Sequence, residues 1–308
     1  MIICAGLLLS VRSFAQQTGI ASQYPGDVGI GSDPRVILFD AFEAYSQPTD
    51  ASQRNGGKWT EVNSPLHCRI STAQHFGGAK SYEMDMPIRA QELAITLKKR
   101  ISPAEPRLYM RAYMLCDSSF HLAPQSSHKG LIMSGDYPGP GHAAPRDGSG
   151  FFLFLQQNNV ENQYRVGEQD PGYGHIYAYW PYQCSNYGDH WWPTGAVAPC
   201  GNGLWLLYPN QYPDFQPRPN FNVPRGQWFC YELMVKLNDL GARNGEVKVW
   251  VNGNVVADFP DLFIRSRSSL QIDHSNLVFH AHHSERVNKI WWDNVVIARA
   301  YIGPLVPP

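Results

Sequence analysis

Hydrophobic and polar positions alternate with a period of two in several stretches of this chain, the spacing of a half-buried strand. Leu108 to Leu115 puts Leu108, Met110, Ala112 and Met114 on one side and Tyr109, Arg111 and Tyr113 on the other. Trp228 to Leu237 puts Phe229, Tyr231, Leu233, Val235 and Leu237 opposite Trp228, Cys230, Glu232, Met234 and Lys236. Val247, Val249 and Val251 face away from Lys248 and Trp250, and Asn252-Gly253 then predicts a tight hairpin with Val255 and Val256 returning. Leu277, Phe279 and Ala281 point inward, with Val278, His280 and His282 outward. Ile290 to Ile297 reads as a closing strand, and Gly150 to Gln157 and His175 to Trp180 as two more. Only Pro87 to Leu97 suggests a helical turn. Many short strands with little helix between them predict an all-β fold, an antiparallel β-sandwich of jelly-roll type with long aromatic loops.

Three segments precede or interrupt this rhythm. Ile2 to Val11 is mostly apolar, and Ser13-Phe14-Ala15 resembles a small-x-small cleavage site, so residues 1–15 read as a signal peptide. Its positive n-region is missing and Arg12 interrupts it, which a truncated gene or a start codon called too late would explain. The expectation is a secreted or periplasmic protein. Residues 16–35 are polar and Gly-rich and read as a linker or arm, leaving 36–304 as one domain. Asp136 to Arg225 is rich in Pro, Gly, Tyr and Trp; loops of such length are uncommon unless functional, and they are expected to wall a cleft.

Composition narrows the function. The 308 residues have a formal net charge of −1, with no block of like charge, which disfavours nucleic acid as partner. No segment is long and apolar enough for a membrane span. Of 6 cysteines, Cys4 falls in the leader. Cys184 and Cys200 bracket a Gly-, Pro- and Trp-rich loop and are the expected disulfide, worth roughly 3 kcal/mol in the chain-entropy model. No CxxC spacing suggests zinc or redox chemistry.

The order of several motifs resembles a known group. Phe39-Asp40-Ala41-Phe42-Glu43 is similar to the opening strand of concanavalin A-like jelly rolls. Trp228-Phe229-Cys230-Tyr231-Glu232, Asn244-Gly245-Glu246, Trp250-Val251-Asn252-Gly253, Trp292-Asp293-Asn294-Val295-Val296 and Tyr301-Ile302-Gly303-Pro304 follow in the order of secreted polysaccharide-lyase-like proteins. The resemblance implies the fold and a carbohydrate partner. Jelly-roll glucanases carry Glu-x-Asp-x-x-Glu; the nearest match, Glu83-Met84-Asp85, lacks the third acid. Alginate-lyase jelly rolls have Arg-rich, Gln-Ile-His and Tyr-rich strands, and here Arg111, Gln156-Gln157 and His175 to Tyr179 occur in that order without a literal Gln-Ile-His.

A β-eliminating uronate lyase needs one group to neutralise the carboxylate, one to remove the C5 proton and one to protonate the leaving oxygen. Arg111, Gln156, His175, Tyr177 and Tyr179 are the expected catalytic set, with no cofactor required. Tyr109, Tyr113, Trp180, Trp191, Trp192, Glu232, Lys236, His280 and His282 are expected to bind sugar by stacking and polar contact. His280 and His282 share a strand face, so joint metal ligation is a further option, with a third ligand such as His121, His128 or Glu232. Asp40 and Asp293, on the opening and closing strands, are candidates for a structural calcium or for capping turns. Three readings remain open: a lyase on a uronate polysaccharide, a non-catalytic glycan-binding module, and a hydrolase acting through carboxylates such as Glu232.

Overall fold

The computed structural model describes residues 18–124, 126–136, 139, 147–159, 172–183, 186–195, 197–198 and 217–308. Among them are strands β1 (Val36–Asp40), β2 (Glu61–Asn63), β3 (Cys68–Ser71), β4 (Ser81–Met86), β5 (Leu93–Glu105) and β6 (Arg107–Cys116). Next come β7 (Ser126–Gly135), β8 (Phe151–Asn159), β9 (Gly174–Tyr179), β10 (Asp189–Trp191) and β11 (Val197–Ala198). The chain ends with β12 (Phe229–Lys236), β13 (Gly245–Val251), β14 (Asn254–Leu262), β15 (Ile272–Ala281) and β16 (Asn288–Ala298). Short 3-10 turns are the only helical elements among the described residues.

The strands form two antiparallel sheets. Sheet 1 runs β14-β13-β12-β6-β16-β4-β3, with β1 also on β16. Sheet 2 runs β11-β10-β9-β8-β7-β15-β5-β2. Leu108, Met110, Ala112 and Met114 of β6 meet Leu277, Phe279 and Ala281 of β15 in one core shared by both sheets. The Ser275 hydroxyl even donates across the sandwich to the Met110 sulfur. The alternation of apolar positions thus sorts inner from outer faces as the sequence predicts. Asn252 and Gly253 close the β13–β14 hairpin at φ of 49° and 79°, the left-handed pair that a two-residue turn of matching twist requires.

The segment expected to make a helical turn, Pro87 to Leu97, instead enters the 13-residue strand β5. Ile95 and Leu97 join the core while Thr96 and Lys98 pair with Val278 and Asn276 of β15. Ladder pairing on both edges outweighs the local pattern there.

Residues 18–35 form an arm of three 3-10 turns packed on the outer face of sheet 1. Ile20, Ala21 and Ile30 bury against Val296, Ala298 and Ile302. The C-terminal segment runs beside the arm: Ile20 and Ala21 donate N–H bonds to the carbonyls of Tyr301 and Ile302, and Gly26 donates to Val306. Sheet 1 is therefore covered on both faces over β6, β12 and β16. Sheet 2 carries the remaining candidate chemistry.

Candidate active site

Four neighbouring strands of sheet 2 build the site. Gln156 of β8 stands directly opposite His175 of β9, and His190 of β10 stands opposite Tyr177 of β9. Inward neighbours Leu155, Ile176, Ala178 and Trp191 hold these strands to the core, so Gln156, His175, Tyr177, Tyr179 and His190 share the outer face. Gly174 lets the chain pass under Phe221, whose ring would lie 2.2 Å from any Cβ there. That close approach fixes where His175 begins.

The polar groups form a chain. His175 Nδ1 lies 3.0 Å from the Tyr173 carbonyl, so its proton sits on Nδ1 and Nε2 is the acceptor. That Nε2 lies 2.8 Å from His190 Nδ1 and 3.1 Å from the Gln156 amide nitrogen. A proton is needed between two imidazole nitrogens at such a distance. It resides on His190 Nδ1, which leaves His190 Nε2 as the acceptor nitrogen of that ring. Trp192, the first residue past β10, folds over the face and stacks on both imidazoles, at 4.8 Å from His175 and 5.6 Å from His190. Burial pushes the His175 pKa down to about 4, only partly opposed by the Tyr173 carbonyl, so this ring is neutral at neutral pH.

Beside this chain stand two phenols. The Tyr177 and Tyr179 oxygens are 3.1 Å apart, and the Gly188 N–H donates to Tyr177 at 2.9 Å. That backbone donor is already in place for negative charge developing on the phenol oxygen. Apolar Phe154, Ile132 and Val278 surround Tyr179. On the strand between, the register sets Lys129 of β7 opposite Gln156. Two strands from Gln156, His280 shares the outer face. Its Nε2 is 2.5 Å from Glu92 Oε1, its Nδ1 is 3.4 Å from the Ser127 hydroxyl, and His282 meets its ring edge-on at 4.9 Å.

The structure separates several residues that the sequence reading grouped together. Arg111 lies on sheet 1, wholly buried, where Asp27 of the arm neutralises it and the carbonyls of Gly303 and Asn294 accept from it. It cannot meet a sugar carboxylate held over sheet 2. Glu232, on the same covered face, accepts the N–H groups of Ile302 and Gly303 at 2.8 and 2.9 Å. Tyr113 stacks on Phe76 at 3.6 Å and accepts from the Leu305 N–H, and Tyr109 packs near Trp250. Glu232 and Tyr113 thus hold the C-terminal segment on sheet 1. Lys236 sits at the far end of β12, also on sheet 1.

Trp180 and Trp191 point inward and belong to the core, Trp180 donating to the buried Asp189 at 2.7 Å. They are not a sugar platform, because alternation continues from the outward Tyr179. Trp192 is buried against the histidines. His128 faces the core beside Phe120 and Phe279, and Glu232 is on the other sheet, so neither joins His280 and His282 as a metal ligand. No group of three His, Cys, Asp or Glu side chains suited to a metal occurs among the described residues. Asp40 accepts from the Phe42 N–H, the Tyr45 hydroxyl and the Trp59 indole. Asp293 accepts from the N–H groups of Phe76, Gly77 and Asn294. Both carboxylates thus tie loops together, and the capping alternative describes them. Cys184 and Cys200 lie outside the described residues, while Cys68, Cys116 and Cys230 are buried free thiols.

His190 and Glu92 were missed by sequence reasoning. The phase of Asp189-His190-Trp191 would have placed His190 outward, but a three-residue strand shows too little alternation to be noticed.

The model of the polysaccharide lyase 14 family matches residues 165–283. No curated protein matches the sequence. Among solved structures, alginate lyase Aly36B superposes with a TM-score of 0.60 at 15% identity, covering 87% of this chain and 98% of that one. A variant of Aly36B with a lysine and a tyrosine replaced by alanine, in complex with an alginate tetrasaccharide, gives 0.57 at 15%, with the same coverage. The PL-14 alginate lyase from Aplysia kurodai gives 0.56 at 13%, covering 86% of this chain and 99% of that one. The chain has the jelly-roll β-sandwich of polysaccharide-lyase-like proteins.

Proposed function

We propose that the protein is a polysaccharide lyase that cleaves a uronate-containing polymer by β-elimination on the outer face of sheet 2. The observation that carries this is the Gln156–His175–His190 chain standing beside the Tyr177–Tyr179 phenol pair on one sheet face. The match to the polysaccharide lyase 14 model and the alginate lyases of like fold support it.

In this reading the second amide proton of Gln156 helps hold the substrate carboxylate. Lys129, in register with Gln156, stands on the strand next to it. His190 Nε2 removes the C5 proton. His175 sets the His190 tautomer and is a positioning residue. Tyr179 or Tyr177 gives a proton to the glycosidic oxygen. The C5–H and C4–O bonds break, the C4=C5 double bond forms, and the proton from C5 stays on the base. No step calls on a cofactor.

Export to the periplasm or beyond is proposed with it, because a polymer substrate lies outside the cell and residues 1–15 have the pattern of a leader. A Cys184–Cys200 bridge is proposed for the same oxidising setting.

A second reading, a glycan-binding module without catalysis, is favoured by burial: His175 is 1% exposed and Gln156 3%. Incubation with alginate, glucuronan, pectate and a neutral β-glucan separates the two. A lyase produces ultraviolet absorbance and reducing ends together on a uronate polymer. A module produces neither but is retained on the polymer, and reducing ends alone mean hydrolysis.

A further inference from the structure

A cavity of about 300 Å³ opens at the end of the sandwich where β5 turns into β6. It lies between that turn, the end of β12 and the segments after β14 and β16. Four cations line it: Arg107, Lys236, Arg265 and Arg299. Two carboxylates accompany them. Glu105 accepts from Arg299 Nε at 2.8 Å, and Asp239 accepts from the Asn244 amide.

The other three cations have no carboxylate partner among the described residues. Arg107 and Lys236 stand directly opposite each other in the β6–β12 ladder. Like charges in that position repel and destabilise the sheet. Arg265 is only 9% exposed, with Nε and Nη1 donating to the carbonyls of Asn238 and Leu270 at 2.8 and 3.0 Å. These carbonyls orient the guanidinium without neutralising it. Its Nη2 has no protein acceptor among the described residues and is not sealed from solvent. A buried, oriented and uncompensated cation beside two repelling ones is the electrostatic complement of an anion.

We propose that this cavity is a second, non-catalytic site that takes the carboxylate of a single acidic sugar residue. Its volume is at the lower end of small-ligand pockets, roughly 300–1,000 Å³. Glu105 and Asp239 would meet hydroxyls beside the carboxylate. The turn end of β5 pairs with Ile272, eight residues along β15 from His280, or about 26 Å at the rise of a strand. The site is therefore separate from the candidate active site. The acidic-sugar assignment rests on the uronate reading above; the anion site itself does not.

The test follows thermal unfolding of wild type and of the Arg107→Gln/Lys236→Gln variant with glucuronate, inorganic phosphate or glucose, and polymer turnover by both proteins. Glucuronate is expected to raise the wild-type Tm, with less than half that shift in the variant, no shift with glucose and a smaller one with phosphate. Without ligand the variant should melt at or above the wild-type temperature, since a repulsion has been removed; Lys236→Met alone serves if the double variant does not fold. Equal glucuronate shifts in both proteins, or none in either, would overturn the site. Phosphate acting as strongly as glucuronate would overturn the sugar assignment. Loss of the shift in the variant together with no polymer turnover by either protein upholds the site and rejects the lyase reading.

Discussion

Arg111 and Asp27 form an ion pair in which neither side chain is exposed, joining the central strand of sheet 1 to the N-terminal arm. Asn294 also donates to Asp27, and Arg111 donates on to the C-terminal segment at Gly303. One guanidinium thus ties together three stretches far apart in sequence.

Removing one partner leaves the other charge buried without compensation, at a typical cost of 3–5 kcal/mol. Asp27→Ala is expected to lower the denaturation free energy by about that much. The Arg111→Met/Asp27→Leu double variant should lose less, because no unpaired charge remains. Polymer turnover by whatever folded Arg111→Met protein is recovered should match wild type. A selective loss of turnover in soluble, folded Arg111→Met would return this residue to the catalytic set.

Glu232 gives the fold a dependence on pH. Burial raises its pKa to about 7, against the opposing pull of the Ile302 and Gly303 N–H groups and Arg111. A carboxyl with a raised folded pKa holds its proton more tightly in the native state. Its contribution to stability is full below the unfolded value of about 4.3 and is lost as pH rises through about 7. The stability difference between wild type and Glu232→Gln, measured by urea unfolding, should therefore change between about pH 4.3 and 7 and be flat above that range. A constant difference across that window would contradict the raised pKa.

The proton-transfer roles predict a graded series. His190→Ala and the Tyr177→Phe/Tyr179→Phe double variant should each lower kcat by at least about 100-fold, the lower end of a general acid–base contribution, and the two single Tyr→Phe variants tell which phenol is the acid. His175→Ala should cost a comparable factor, because His190 then lacks the acceptor that fixes its tautomer. His175→Gln, which keeps an acceptor oxygen, should recover part of it. Full turnover in His190→Ala would remove the base assigned here.

Trp192 makes a separate prediction. Its ring shields His175, whose pKa burial lowers to about 4. In Trp192→Ala that imidazole should titrate closer to its ordinary value of about 6.5, read from its proton resonance. No upward movement would mean that the loops and strands alone account for the desolvation.

The fold was legible because core faces obey a strict period. Leu108, Met110, Ala112 and Met114 fall on the inner face as the alternation requires. The same rule, applied one residue past Tyr179, sends Trp180 inward, where it joins the core. For Arg111 the rule gives no such warning. Its phase in β6 matches that of the candidate residues in β8 and β9, and its partner Asp27 is 84 positions away in a stretch without periodicity. Alternation tells inner from outer face but is silent on what covers the outer one. The arm is made of 3-10 turns, whose few apolar anchors, Ile20, Ala21 and Ile30, look like isolated residues in a polar linker.

That arm also determines how the molecule can be held. Gly26 is bonded to Val306 and lies beside Pro308, so the last residues of the chain rest on sheet 1, with the whole sandwich between them and the outer face of sheet 2. Anything joined after Pro308, whether a resin linker, a fusion partner or a surface tether, departs from the back of the molecule. An immobilised preparation attached there would present its candidate catalytic face outward to a long polymer, whereas attachment through the β9–β10 turn at Tyr187 would turn that face toward the support.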